Sequence, residues 1–101
     1  MPTRDFAQQR HRLVRDLRKL GVRADAVLRA MATVPRELFV PDEYQADAYR
    51  NSALPIGSGQ TISQPLIVAQ MAEALLLEPT DRVLEVGAGS GYMAAILSQI
   101  V

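Results

Sequence analysis

Three glycines at alternating positions are the feature of this sequence with the clearest chemical use. Gly87, Gly89 and Gly91 follow the mostly apolar run 82–86, and a stretch with helical character comes directly after them. Glycine lacks a Cβ, so its backbone turns sharply and approaches a ligand closely. The free N–H groups at the start of the following helix point at the same place. We therefore predict that a small polar ligand binds at this turn.

The spacing disfavours two common nucleotide ligands. The dinucleotide fingerprint G-x-G-x-x-G needs its third glycine at position 92, which is Tyr92. A nucleoside triphosphate loop needs a lysine after its glycines, and none stands there. Glu85 adds a negative charge, which suits a cationic ligand better than one rich in phosphates. The alternative is a glycine turn that serves tight packing between a strand and a helix.

Residues 83–92, V-L-E-V-G-A-G-S-G-Y, resemble the first motif of the class I S-adenosylmethionine-dependent methyltransferases. The resemblance implies S-adenosyl-L-methionine as the cofactor and a Rossmann-like fold. It indicates a superfamily and no particular substrate, because a methyltransferase acting on RNA or on a small molecule would carry the same loop.

Two further sequence blocks narrow the range of possible substrates. Residues 53–65, A-L-P-I-G-S-G-Q-T-I-S-Q-P, closely resemble the region before the first motif in protein-L-isoaspartate O-methyltransferases, and residues 34–40, V-P-R-E-L-F-V, resemble an upstream block of that family. This implies methyl transfer from S-adenosylmethionine to the carboxylate of L-isoaspartyl residues, with damaged proteins and peptides as partners. The alternatives are a non-catalytic fragment or interaction module of that fold, or a methyltransferase for RNA or a small molecule.

The resemblance also assigns site residues. Ser63 matches the family's active-site serine in T-I-S-x-P, and Thr61 is expected to face the incoming carboxylate. Ser63 equally fits a helix N-cap, because it precedes a helix that begins at a proline. A carboxylate with a pKa near ~4 is already ionised at neutral pH, so Ser63 is expected to orient it and not to activate it. The cofactor-binding residues implied are Ile62, Ser63, Gln64, Pro65, Glu85, Gly87, Ala88, Gly89, Ser90 and Gly91.

Apolar spacing predicts the helices that position these residues. A first amphipathic helix ends near Gly21, and a second is capped by Asp25 and ended by Pro35. Residues 35–63 read as a loop with one helical turn near 43–49. A third helix follows Pro65 and ends at Pro79. The predicted inner faces are Phe6, Leu13, Leu17 and Leu20, then Val27, Leu28, Met31 and Val34, then Leu66, Ile67, Met71, Leu75 and Leu76.

The run 82–86, the glycine turn and the helix after it read as the opening of a βαβ unit. The predicted fold is α/β: N-terminal helices followed by the first strand, glycine loop and helix of a truncated Rossmann-like sheet. One strand builds no parallel sheet, so a missing C-terminal half or self-association is expected to complete it. The predicted organisation is a helical region over 1–52, a substrate and cofactor loop over 53–65, and an incomplete cofactor-binding domain over 66–101.

Composition narrows the class of protein. The 101 residues are 49% apolar and 22% charged, as in a small folded domain, and formal charge balances at zero. No cysteine and one histidine leave neither a disulfide framework nor a metal site. We expect no nucleic-acid or membrane partner and a cytoplasmic location, since no apolar run approaches the ~20 residues that cross a bilayer. The N-terminal basic residues are interpreted as a solvated helix face: Arg4, Arg10, Arg12, Arg15, Arg18, Lys19 and Arg23.

Overall fold

The structure, a computed structural model, describes residues 5–101; Arg4 of the basic cluster lies outside that range. No helix within those residues is long and apolar enough to span a bilayer. Four α-helices, two 3-10 helices and one β-hairpin make up the described chain. In chain order these are α1 (Phe6–Lys19), α2 (Asp25–Thr33), 3-10 helices over Arg36–Phe39 and Asp42–Asp47, β1 (Leu54–Gly57), β2 (Gln60–Ile62), α3 (Pro65–Ala74) and α4 (Tyr92–Ser98).

Helix α1 begins and ends where local chemistry predicts. Asp5 Oδ1 accepts a hydrogen bond from the Gln8 N–H at 2.9 Å. At the other end Gly21 has a φ of +108°, and the Val22 N–H reaches back to the Leu17 carbonyl, which closes the helix in a Schellman motif. The predicted first helix is confirmed. Leu20 is exposed, against expectation, because Val22 takes the inward position once the chain has reversed.

One basic residue of α1 departs from the interpretation as a solvated face. Arg10 forms an ion pair with Glu37 at 3.2 Å and donates through Nε to the Tyr49 hydroxyl at 2.8 Å. Tyr49 in turn donates to the same Glu37 carboxylate. Burial and the bond to Glu37 raise the pKa of Tyr49 to about 12, so the phenol stays protonated at neutral pH. Arg10 therefore ties α1 to the segment after α2.

Helix α2 forms the centre of the fold and packs against α1, α3 and α4. Its predicted inner face is buried, but Asp25 is the first helical residue and does not cap the helix. The N–H groups of Arg23 and Ala24 instead donate to Glu73 Oε2 of α3, each at 2.7 Å. A residue distant in sequence thus replaces the predicted local cap.

The segment over 35–63 is more regular than the expected loop with one helical turn. Its hairpin pairs Leu54 with Ile62 in an antiparallel register, and both side chains are buried. The connection places Ser58 at φ +54° and Gly59 at φ +70°, and positive φ at both central residues matches the right-handed twist of the two strands. The sequence analysis missed this hairpin.

Helix α3 ends at Ala74, five residues before Pro79, and Leu76 has a φ of +51°. Its buried face is Pro65, Val68, Ala69 and Ala72, whereas Ile67, Met71, Leu75 and Leu76 are exposed. The predicted inner face was therefore wrong. The helix is apolar on both sides, so periodicity alone does not choose between them, and the small Ala69 and Ala72 allow α3 to approach α2 closely.

The predicted strand over 82–86 pairs with no other strand among the described residues. Leu84 and Val86 are each 88% exposed. In the part of the chain that the structure describes, β1 and β2 are the two strands that pair, and a strand without a partner satisfies none of its backbone groups. The prediction of this strand was wrong for this chain, while the helix after the glycine turn is confirmed as α4.

Candidate functional site

A cleft of about 400 Å³ lies between the end of the hairpin, α3, the segment 83–90 and α4. Apolar side chains from α3 and α4 form its floor, including Val68, Met71 and Leu97. Its rim carries polar groups from two distant parts of the sequence, the hairpin and the glycine turn. This combination of an apolar floor and few polar groups is typical of small-molecule sites.

Thr61 and Ser63 contribute the hairpin side of the rim, and both are exposed. The N-cap of α3 is Gln64, which makes no side-chain capping bond, so the interpretation of Ser63 as the cap was wrong. The cap comes from Asn51, whose Oδ1 accepts from the Leu66 N–H at 3.0 Å. The Ser63 side chain is therefore not committed to helix capping.

Three neighbours of Ser63 do not line the cleft. Ile62 is buried in the core below the hairpin, and Pro65 is buried at the first position of α3. The Gln64 side-chain amide donates to the Asn51 carbonyl at 3.1 Å, and neither residue lines the cleft. From residues 61–65, Thr61 and Ser63 alone reach the cleft in the described structure.

The glycine turn forms the other side of the rim, where Gly87, Ala88, Gly89 and Ser90 line the cleft. Gly87 has a φ of +76°, and a Cβ placed there would meet nothing within 4 Å. The turn thus needs glycine for its backbone angles, and its surface stays open to a ligand. Gly91 lies behind the rim, where a Cβ would stand 3.9 Å from the Phe39 ring.

Glu85 lies on the cleft with one carboxylate oxygen unsatisfied. Among the described residues, its Oε1 is buried and has no hydrogen-bond partner. A buried polar atom without a partner costs free energy, more so when it carries charge. A ligand cation or N–H donor in the cleft would remove that cost, which fits an ammonium group.

Arg36 is a site residue that the sequence analysis did not find. Its side chain is 0% exposed, and it donates through Nε to the Ala48 carbonyl at 2.7 Å and through Nη2 to the Ser63 carbonyl at 2.9 Å. The guanidinium lies 4.8 Å from the centre of the Tyr92 ring. Burial lowers the pKa of Arg36, and Tyr92 opposes that effect. The one signal in the sequence that could have identified Arg36 was its position as the single arginine of the mostly apolar block 34–40.

The Tyr92 ring also contacts the first block through Phe39, at 5.6 Å between ring centres in an edge-to-face arrangement. The Tyr92 hydroxyl donates to the Met31 sulfur at 3.7 Å. The blocks over 34–40, 53–65 and 83–92 therefore meet in space, although about twenty residues separate the second from the third in the sequence. The second and third blocks were predicted to meet at one cofactor site, whereas the contact of the first block with both was not predicted.

A sequence profile of the protein-L-isoaspartate(D-aspartate) O-methyltransferase family matches residues 8–101, nearly all of the chain. The chain belongs to this family. The resemblance predicted from the three blocks is confirmed.

Curated members of the protein-L-isoaspartate O-methyltransferase family match over the same region. The protein from Roseiflexus sp. strain RS-1 is 61% identical over 97 residues, which cover 96% of this chain and 44% of that protein. Those from Photobacterium profundum and Methylorubrum extorquens are 54% and 58% identical, and the matches cover 46% and 44% of their lengths. This chain thus spans less than half the length of these relatives.

A solved structure named protein-L-isoaspartate O-methyltransferase superposes with a TM-score of 0.81 at 35% identity, over 90% of this chain and 30% of that one. The predicted α/β methyltransferase fold is therefore confirmed for the matched region.

Proposed function

We propose that this chain carries part of the active site of a methyltransferase that moves a methyl group from S-adenosyl-L-methionine to the carboxylate of L-isoaspartyl residues in damaged proteins. The observation that supports it most is the cleft, which collects Ser63, the glycine turn and the unsatisfied Glu85 carboxylate in a member of this family. Its partners would be isoaspartyl-containing proteins and peptides. We propose a cytoplasmic location, consistent with a chain that has no cysteine.

S-adenosyl-L-methionine fits the residues of the cleft. The unsatisfied Glu85 Oε1 complements an ammonium group, and the open surface of Gly87 and Gly89 admits a ligand close to the backbone. When bound, this cofactor supplies a methyl carbon on a positively charged sulfur. The residues that would hold it are Ser63, Glu85, Gly87, Ala88, Gly89 and Ser90, which line the cleft. The neighbouring Ile62, Gln64, Pro65 and Gly91, also proposed from the sequence, do not line it.

Methyl transfer to a carboxylate requires the chain to position the reacting groups, and it requires no general base. An isoaspartyl carboxylate with a pKa near ~4 is ionised at neutral pH. A hydroxyl at Ser63 can donate to one carboxylate oxygen and leave the other free to react, and Thr61 lies on the same rim. A ligand lying on the apolar floor would displace water from it, which would strengthen the attraction between the carboxylate and a cationic ligand. Orientation therefore contributes most of the rate enhancement.

The division proposed from sequence is kept: a helical region over 1–52, a substrate and cofactor segment over 53–65, and the start of the cofactor-binding domain over 66–101. The exposed, unpaired segment over 82–86 favours one alternative, a non-catalytic fragment or interaction module of that fold, which would bind the cofactor without transferring the methyl group. Both functions predict cofactor binding, and turnover separates them.

The deciding experiment is transfer of a tritiated methyl group from S-adenosylmethionine to an isoaspartyl peptide, with the aspartyl isomer of that peptide as control. We expect base-labile label on the isoaspartyl peptide and none on the control. Calorimetry with S-adenosylhomocysteine is run in parallel. Binding without transfer would support the cofactor-binding module, and equal labelling of both peptides would contradict isoaspartyl selectivity.

A further inference from the structure

We propose that Arg36 is a positioning residue that couples the two sides of the cleft, holding the hairpin side through Ser63 and the glycine-turn side through Tyr92. This inference rests on the proposed function and adds to it a residue that touches neither substrate nor cofactor.

The first contact fixes the backbone that presents the Ser63 hydroxyl. Arg36 Nη2 donates to the Ser63 carbonyl at 2.9 Å, and Nε donates to the Ala48 carbonyl at 2.7 Å. Because the guanidinium is planar and rigid, these two donors hold the Ser63 carbonyl at a fixed distance from the Ala48 carbonyl. Ser63 is otherwise exposed between the end of β2 and the start of α3.

The second contact fixes the start of α4. The Arg36 guanidinium lies 4.8 Å from the centre of the Tyr92 ring, a distance at which a cation is attracted by an aromatic face. Tyr92 is the first residue of α4 and directly follows the glycine turn, and its own N–H donates to Ser90 Oγ at 3.1 Å. A displacement of the ring would therefore displace the turn.

Burial shows that Arg36 acts through these neighbours. At 0% exposure it cannot reach a ligand in the cleft, and it does not line the cleft wall. Over residues 5–101, no carboxylate pairs with it, and its Nη1 has no hydrogen-bond partner. A buried cation without a counter-ion destabilises a fold, because the free energy lost in desolvating the charge is not recovered from an ion pair. Its contacts instead join the two sides of the rim.

Arg10 provides a matched control, because it pairs with Glu37, the residue next to Arg36, and so holds the same segment in place. It forms an ion pair with Glu37 and a hydrogen bond to Tyr49, and it contacts neither Ser63 nor Tyr92. Loss of Arg10 removes a tertiary anchor of the same segment without touching the two sides of the cleft.

The test compares Arg36→Lys with Arg10→Met. A lysine keeps the charge but not the planar fork. In Arg36→Lys we expect kcat for the isoaspartyl peptide to fall about 10- to 100-fold, as for a small misplacement of reacting groups, with KM changed less than about 3-fold. Arg10→Met should lower the thermal midpoint and leave kcat per folded molecule unchanged. Equal loss of kcat in both variants, or a change confined to KM, would overturn the proposal.

A second readout needs no turnover and separates this inference from the proposed function. In ligand-free amide NMR spectra, Arg36→Lys should move the signals of residues 63–64 and also those of 87–91, which Arg36 does not touch. Arg10→Met should move neither group. Shifts limited to 63–64 would refute coupling even if the wild-type chain proved inactive.

If Arg36→Lys does not fold, the wild-type chain is titrated with S-adenosylhomocysteine. The Arg36 Nε–H signal should then shift while the Arg10 Nε–H signal stays in place. No shift of the Arg36 signal, or equal shifts of both signals, would refute the coupling.

Discussion

Ser63 occupies an exposed position on the cleft rim between β2 and α3, and the cap of α3 comes from Asn51. Its hydroxyl therefore serves no helix end. The Ser63 backbone, in contrast, is held by the buried Arg36 at 2.9 Å. A well-anchored backbone with an exposed hydroxyl suits a group that orients a substrate oxygen.

Replacement of Ser63 by alanine should reduce methyl transfer without unfolding the chain. One lost hydrogen bond to a charged carboxylate is worth about 1.5–3 kcal/mol, so we expect kcat/KM to fall about 10-fold or more. Because Ser63 does not cap α3, the free energy of unfolding should change by less than about 0.5 kcal/mol.

Peptide kinetics and urea unfolding measure the two effects of Ser63→Ala. Ser98→Ala is the control, since Ser98 is the exposed last residue of α4 and does not line the cleft. Unchanged kinetics in Ser63→Ala, or a large loss of stability, would contradict the orienting role.

At the scale of elements, the starts of α2 and α3 are held by acceptors that lie elsewhere in the sequence. Glu73 of α3 accepts from two N–H groups just before α2, and Asn51 accepts from the first turn of α3. These bonds join α2 to α3 and α3 to the segment before the hairpin. The hydrogen bonds from the Ala24 and Arg23 backbone lower the pKa of Glu73 below its ordinary value.

The stability of the chain should therefore depend on pH through Glu73. Because the folded-state pKa is lowered, its contribution is full above the ordinary value of 4.5 and is lost as pH falls through the folded-state pKa. Glu73→Gln should be less stable than the wild type at neutral pH, and the difference should shrink in acid. Urea unfolding across this range measures it.

Glu43→Gln is the control for this pH dependence, at an exposed position of the second 3-10 helix. It should follow the wild-type curve at every pH. A Glu73→Gln difference that stays constant down to the acid limit would show that the carboxylate charge is not the source.

At the scale of the whole molecule, apolar side chains remain uncovered along one region. Ile67, Met71 and Leu75 of α3 are exposed, and so are Leu84 and Val86 of the segment 82–86. Large exposed apolar surface is uncommon on soluble monomers and promotes association. This chain spans less than half the length of the relatives cited above.

The folded chain should accordingly bind the dye ANS and associate as its concentration rises. Leu84→Ser combined with Val86→Ser should lower both signals while far-UV circular dichroism is retained, because these side chains are exposed and not in the core. Leu38→Ser is the control, an exposed leucine that does not line the cleft. No ANS binding by the wild type, or an equal drop in the control, would contradict this prediction.

The sequence by itself determined the features that depend on neighbouring residues. Helix α1 with its glycine end, helix α2 up to Pro35, the glycine turn before α4 and the three family blocks are all local patterns. Such patterns reflect backbone angles and helical spacing, which a short window of sequence specifies. The hairpin was also local, and its Gly-Ser-Gly turn between Ile56 and Ile62 was the signal that could have revealed it.

Only the tertiary structure decided which groups meet. The contacts of Arg36 with Ser63 and Tyr92 join residues 27 and 56 positions apart, and the Glu73 cap joins residues 49 apart. The buried face of α3 depended on which neighbour it packed against, because both of its faces are apolar. The segment 82–86 formed no strand because a β-ladder needs a second chain segment, a requirement that strand propensity alone cannot satisfy.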